Sequence, residues 1–347
     1  MSEVLLEVSR GPLVENIHRG DVAVVGKDGK LKYYKGDPYK VAYLRSSLKP
    51  VQAINVFLSG ANEKYNFEDE EIALMCASHY GQDIHKKVID KILEKIGLTQ
   101  ENLLCRGGYS LNEDYKTFQI ANHIHLIPAN SDCSGKHSGM LASCLAEGYD
   151  IENYNSINHP IQKDIKKLVA DFCEIDEDKI LIGVDGCGVP VHGIPLYNAA
   201  LAFAKFTNTD DLQIDVKNAC DRIFKSMNNA PEMVAGTDGF CTELIKKTNV
   251  KLIGKLGADG VYCVAVKGVD MGIAIKIEDG NCTRAVAPVV MRCLEDIGVL
   301  TLEEMKALER FRGEDLTNSL GNTIGQVKPV FHLDKVENCM GIICESE

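Results

Sequence analysis

The sequence predicts a mixed α/β fold of the α+β kind, with one antiparallel sheet built from both chain ends and a large helical lobe between them. Three observations carry that expectation. Apolar alternation marks strands mainly within residues 1–45, it returns at 250–280, and the stretch from about 50 to 248 is dominated by helical spacing. With 45% hydrophobic residues the chain can bury a full core, and with no internal repeat or low-complexity linker it reads as one domain, 1–347.

The elements follow in chain order. "DVAVVGKDGKLKYY" (21–34) is a hairpin, because apolar alternation flanks an Asp-Gly turn. From Pro50 the spacing becomes helical in "VQAINVFL", in "EDEEIALMCAS", whose acidic first turn suits the helix dipole, and in "IHKKVIDKILEKIG". Further helices are expected at "GMLASCLAEG", "IQKDIKKLVADFC", "LYNAALAFAKF" and "VKNACDRIFKSM", with a strand at "ILIGV". Near residue 250 β-branched alternation resumes in "KLIGKLGADGVYCVAVK" and "MGIAIKIED", and "AVAPVVMRCLEDIG" and "LEEMKALERF" are expected to close the chain as two helices.

Charge narrows the function classes. With 38 basic and 50 acidic side chains the formal net charge is -12, which argues against nucleic acid and anionic membrane, since both reward clustered Lys and Arg. A small-molecule substrate is the expectation. The first residues, "MSEVLLEVSRGP", lack a basic stretch followed by an apolar run, and no run approaches the roughly 18 apolar residues of a membrane span. A cytoplasmic protein is expected. Its thirteen cysteines are scattered through apolar patterns such as "LMCAS" and "VYCVAV", which suits reduced, buried thiols better than a disulfide framework.

Chemistry enters with "RSSLKP". Ser46 begins a helix, where free amides and the dipole favour negative charge on oxygen, and Lys49 follows one turn later on the same face. A free lysine has a pKa of about 10.4, so it needs burial or a second cation before it can act as a base. "MCASHYGQ" adds Ser78, and "GKLGADGV" adds Lys255 at the start of a late strand. That order is the one serine β-lactamases and penicillin-binding proteins use for acyl transfer. Here the second motif is Ser-His rather than Ser-Asp-Asn, and the third is Lys-Leu-Gly rather than Lys-Thr-Gly. "NSDCSGKHSGML" then sets Cys133, Lys136 and His137 at a helix start, "GVDGCGVPVHG" offers Asp185 and Cys187, and "GTDGFCTE" offers Cys241. None is a Cys-x-x-Cys pair, so a zinc-finger reading fails on spacing.

Together "VENIHRG", "RSSLKP", "CASHYGQ", "CSGKHSGM", "GVDGCGVP", "GTDGFC" and "KLGADGV" resemble, in order and over essentially the whole chain, the rhizobial-type zinc-binding L-asparaginases. The resemblance implies a fold like that of serine β-lactamases and glutaminases, a homodimer, and two Ser-Lys pairs, Ser46 with Lys49 and Ser78 with Lys255. Two amines crowded into one pocket would depress each other's pKa, so each could act on its serine. It implies one zinc held by Cys133, Lys136 and Cys187; around it Asp185, His137 and Cys241 are expected to orient ligands or substrate, and Arg45, beside the nucleophile, either pairs with the substrate carboxylate or caps the helix start. The expected reaction is hydrolysis of L-asparagine to L-aspartate and ammonia through an acyl-enzyme on Ser46, with Lys49 as base and Ser78 and Lys255 relaying protons. Two other readings stand beside it: a β-lactamase-like acyl hydrolase, and a non-catalytic zinc or thiol sensor. The threonine-based asparaginases are excluded, because their amino-terminal Thr-Gly-Gly loop is absent. His123 and His125 in "NHIHLIP" read as strand or loop positions, and His18 and His192 as residues that pack or bond to backbone.

Overall fold

The computed structural model describes residues 1–336. Its strands are β1 (Glu3–Arg10), β2 (Leu13–Gly26), β3 (Leu31–Lys35), β4 (Val41–Tyr43), β5 (Leu181–Val184), β6 (Pro190–Pro195), β7 (Leu252–Gly257), β8 (Val261–Val266), β9 (Met271–Ile277), β10 (Glu314–Thr317), β11 (Thr323–Pro329) and β12 (Asp334–Lys335). Its helices are α1 (Lys49–Leu58), α2 (Ala61–Tyr65), α3 (Asp69–Met75), α4 (Asp83–Lys95), α5 (Glu113–Ala121), α6 (Ser134–Glu147), α7 (Pro160–Cys173), α8 (Leu196–Lys205), α9 (Ile214–Asn229), α10 (Pro231–Val234), α11 (Phe240–Lys247), α12 (Ala287–Ile297) and α13 (Leu302–Ala307).

Strand β2 organises the main sheet, because it is long enough to serve two sets of neighbours. Its residues 13–20 pair with β1, while residues 20–26 pair with β9 and residues 22–25 with β3. The sheet runs β10-β11-β1-β2-β9-β8-β7, with β3 on β2 and β12 on β3. Its ladders are antiparallel. Strands from both chain ends therefore interleave as expected, with β1 held between β2 and β11. A small second sheet, β4-β6-β5, draws β4 from the first strand region and β5 and β6 from the span dominated by helical spacing, β5 falling on the strand expected at "ILIGV".

Helix α8 shows why one face of the sheet is covered so closely. Its sequence, LYNAALAFAK, presents alanines that let its backbone approach β9. Gly272 completes the fit, since a Cβ there would run into the Ala200 carbonyl and the Ala204 amide. The buried apolar residues of the sheet and helices form one continuous cluster, from Leu5 to Phe331.

Two expectations need correction. The chain does not close on two helices: β10, β11 and β12 follow, and "LEEMKALERF" is helical only to Ala307 before a 3-10 turn over Glu309–Phe311. These late strands are largely exposed, so they carry too few buried apolar positions to show alternation. Helix α5 was also invisible to periodicity, because Gln119 is its one buried residue. The eleven described cysteines are all free thiols, nine of them buried; Cys339 and Cys344 lie outside the described residues. Among the described residues no helix is long and apolar enough to cross a membrane.

Replacing Gly272 by valine should lift α8 from β9 and cost at least about 2 kcal/mol of stability, the scale of a core clash that only backbone movement can relieve. Urea unfolding of the variant beside wild type checks it, and an unchanged midpoint would show that the α8–β9 contact is slack.

Candidate active site

The site forms where the sheet's edge strand β7 meets the helical lobe. Glycine makes the approach possible: a Cβ on Gly257 would lie 2.6 Å from the Leu44 carbonyl oxygen and 3.0 Å from the Ser47 amide nitrogen. The edge of β7 thus lies against the 3-10 turn Arg45–Leu48, which carries Ser46 and leads into α1. Pro50, second in α1, suits a helix start because its missing N–H has no intrahelical acceptor there. Helix α3 stops at Met75, so Ser78 sits on a loop whose course is fixed by two backbone bonds, Ser78 N–H to the Val234 carbonyl (3.1 Å) and Tyr80 N–H to that of Ala235 (2.7 Å).

Both catalytic-type lysines are fully buried, and both converge on one hydroxyl. Lys49 Nζ donates to Ser78 Oγ at 3.1 Å and to the Ala77 carbonyl at 2.5 Å. Lys255 Nζ donates to the same Ser78 Oγ at 2.9 Å and to the Leu256 carbonyl at 2.6 Å. Burial, reinforced by the nearby Lys49, lowers the Lys255 amine to a pKa of about 8, with the Cys241 thiol opposing. The expected Ser78–Lys255 contact is therefore present. The expected Ser46–Lys49 contact is not: Lys49 reaches across to the 77–78 loop, and no hydrogen bond joins it to Ser46. Ser46, 8% exposed, has a hydroxyl without a hydrogen-bond partner among the described residues.

A thiol cluster adjoins this pocket. Helix α6 begins with Ser134, and Gly135 lets its first turn sit on the end of α3, where a Cβ would strike the Leu74 carbonyl. That contact sets Cys133 and Lys136 beside the Ser78 loop. Opposite them, the β5–β6 turn presents Cys187, whose sulfur accepts from Lys136 Nζ at 3.2 Å. Interaction with the neighbouring Cys133 side chain lowers Cys187 to about 6 against the effect of burial, with Lys136 assisting. Burial opposes the charge on Lys136, but the two sulfurs and Asp185 outweigh it and hold the amine above its ordinary range. Among the described residues no trio of His, Cys, Asp or Glu side chains gathers as a metal site. The ordinary donors are thus two sulfurs, and a third position would fall to Lys136. Two thiols with an amine fit a thiophilic ion such as zinc, provided the amine gives up its proton.

The remaining predicted residues divide. Arg45 turns the chain with φ +50°, a conformation costly for a side-chain-bearing residue. Its guanidinium is held by Asp185 (Nε to Oδ1, 2.7 Å) and by Asp259, so both acids already occupy it. For Asp185 burial raises the pKa, yet Lys136 and then Arg45 outweigh it and keep the carboxylate ionised. His137 is buried against Tyr154, Nδ1 to the phenol oxygen at 2.7 Å, and burial lowers it to about 3, so its ring is neutral. Cys241 does not stand with the other thiols. It accepts from the Leu256 N–H at 3.3 Å, and so seats β7, with Lys255, on α11.

Two residues escaped sequence reasoning. His79 accepts at Nδ1 from the Gly81 N–H (3.1 Å), so its proton is on Nε2, which donates to Ser134 Oγ at 2.9 Å. Burial keeps this ring neutral, and it ties the Ser78 loop to the start of α6. Asp132 places Oδ2 4.0 Å from Lys49 Nζ with its side chain 38% exposed; its type and position next to Cys133 were the available signal. Of the other histidines, His123 and His125 are exposed after α5, as loop positions. His192 is buried, and neither ring nitrogen has a hydrogen-bond partner among the described residues. His18 bonds the Asp279 carboxylate at 2.6 Å rather than backbone.

A family model described as L-asparaginase II matches residues 6–329. No curated protein matches the chain. Among solved structures, Mglu in its native form in the presence of 4.3 M NaCl aligns with 12% identity and TM-score 0.46, over 80% of this chain and 61% of that one. A β-lactamase from Mycobacterium bovis aligns with 10% identity and TM-score 0.38, over 84% of this chain and 95% of its own. The chain thus spans about three-fifths of the length of Mglu, and scores of this size do not define a shared fold.

Because Lys49 helps to depress Lys255, Lys49→Met should move the Lys255 pKa up from about 8, by roughly one unit for the loss of one nearby charge in a pocket that stays buried. Nitrogen-15 NMR of the lysine side chains over a pH series reads this shift. A Lys255 titration identical in both proteins would show that the two amines do not sense each other.

Proposed function

The chain belongs to the L-asparaginase II family, and we propose that it hydrolyses L-asparagine to L-aspartate and ammonia through a serine acyl-enzyme. The observation that carries this reading is a pair of fully buried lysines sharing one serine oxygen, with a second serine, unengaged among the described residues, one turn before Lys49. A hydroxyl oxygen has two lone pairs. Those of Ser78 are both taken up by N–H donors, which suits a proton carrier between the amines. Those of Ser46 remain available, which suits attack.

In this scheme Ser46 Oγ bonds to the amide carbon of asparagine while its proton passes to Lys49, whose amine must first turn from the Ala77 carbonyl toward it. The proton is handed through Ser78 to the departing nitrogen, the carbon–nitrogen bond breaks, and ammonia leaves. Water then attacks the ester, giving its proton back through the same amines, and aspartate is released with Ser46 restored. Neutral Lys255 can accept a proton where the charged form cannot. We further propose one zinc on Cys133, Lys136 and Cys187, which when bound supplies positive charge for the amino-acid end of the substrate. His137, Asp185 and Arg45 would set the orientation of these groups through the contacts described above. A cytoplasmic homodimer completes the reading, supported by family resemblance and by the free thiols.

Purified protein should release ammonia from asparagine and leave a chromogenic β-lactam intact; no ammonia release sinks the proposal. Ser46→Ala and Ser78→Ala should each lower kcat by about a thousandfold or more, and mass spectrometry should find the acyl group on Ser46. An acyl adduct on Ser78, or a Ser46→Ala enzyme with most of its activity, would exchange their roles. The sign of the pH dependence follows from Lys255: kcat/KM rises as pH passes about 8, where the amine loses its proton, and Lys255→Ala abolishes that limb. Complete chelation should slow turnover, and unchanged ammonia release afterwards would remove the metal from the scheme.

A further inference from the structure

Three carboxylates surround the pocket, and they differ in what they are free to bind. Asp185 is 8% exposed and paired with Arg45, and Asp259 holds the same guanidinium from the exposed side. Asp132 is the exception. Its nearest cation, Lys49 Nζ, stands at 4.0 Å, beyond hydrogen-bond range, because that amine already donates to Ala77 and Ser78. Among the described residues its one side-chain hydrogen bond is a long contact from the Cys133 thiol to Oδ2 at 3.5 Å. Oδ1 has no hydrogen-bond partner among the described residues, and the side chain is 38% exposed.

Its backbone is nevertheless fixed. The Asp132 carbonyl accepts from the His79 N–H at 3.3 Å, one residue beyond Ser78, and Cys133 follows directly. The carboxylate is thus held at the pocket by the same loop contacts that place the serine and the thiols, while keeping lone pairs free.

Resting on the asparaginase reading, we infer that Asp132 receives the α-ammonium of the substrate and so restricts the site to amides of α-amino acids. An α-ammonium offers three N–H donors and a full charge, the complement of a carboxylate with open acceptor positions. In asparagine only the α- and β-carbons separate that ammonium from the amide carbon, so an anchor within a few ångströms of Lys49 suits a carbonyl delivered to the adjacent hydroxyls. The discrimination is of the strong kind, in which a site built to pair one polar group rejects the analogue that lacks it.

The test compares L-aspartate with succinate, the same dicarboxylate without the ammonium, by calorimetric titration of wild type and Asp132→Asn. Wild type should bind aspartate at least about tenfold more tightly than succinate, and the near-isosteric variant should lose that margin while binding succinate as before. Melting temperatures confirm that the variant is folded, and Asp132→Ser serves in its place if it is not. No margin in wild type, a margin that survives in the variant, or equal weakening of both ligands would overturn the inference. Ammonia release from asparagine in the same wild-type preparation tests the hydrolase reading separately, because the binding comparison needs no turnover.

Discussion

Two amines that share one hydroxyl in a dry pocket cannot both carry full charge without penalty. Lys49 and Lys255 are completely buried, with Ser78 Oγ between them, and at such separations low-dielectric surroundings make like charges costly. That repulsion, added to burial, is what brings the Lys255 amine into the range where it can take a proton near neutrality. The rest of the architecture keeps the two nitrogens from relaxing apart. Lys49 is pinned by the Ala77 carbonyl and Lys255 by that of Leu256.

The glycines that permit this convergence are as specific as the side chains that perform it. Gly257 admits the sheet edge to the Ser46 turn, and Gly135 admits the head of α6 to the end of α3. Through these two contacts the sheet, α1 and α6 meet, and the thiols of Cys133 and Cys187 come to lie beside the lysines. His79 then ties the Ser78 loop to Ser134. The hydroxyl and amine pocket and the thiol cluster thereby share one loop, so a distortion of either reaches the other.

Much of this was legible in the residues alone. The helices that carry an apolar stripe showed their periodicity because each has one buried face, while the 21–34 hairpin and the late strand bearing Lys255, buried on both faces along β2 and β7, showed as apolar runs bounded by Gly and Asp turns. Strands β10 to β12 and helix α5 did not, because they expose most of their side chains. At the site, residue types and order pointed to Ser46, Lys49, Ser78 and Lys255. Spacing could not say which amine meets which oxygen: Lys49 was assigned to Ser46 by helical neighbourhood, yet it finds two acceptors on the 77–78 loop. The bond from the Leu256 N–H to Cys241 likewise has no sign in the sequence, since it depends on a helix, Phe240–Lys247, without a visible start signal. Asp132 went unread because an aspartate beside a cysteine is unremarkable until Lys49 arrives from elsewhere in the chain.

The interleaving of the two chain ends has a consequence for how the protein is made. Strand β1 is made long before its outer neighbour β11, with which it pairs through residues such as Leu6 and Pro329. Lys255 likewise follows Ser78 by 177 residues. A nascent polypeptide therefore carries an uncovered strand edge, open to unwanted association, until β11 is made, and has no second amine in its pocket until Lys255 is. A product truncated before β11 thus keeps Ser46, Lys49, Ser78 and Lys255 but leaves β1 without its outer partner, as an adhesive edge.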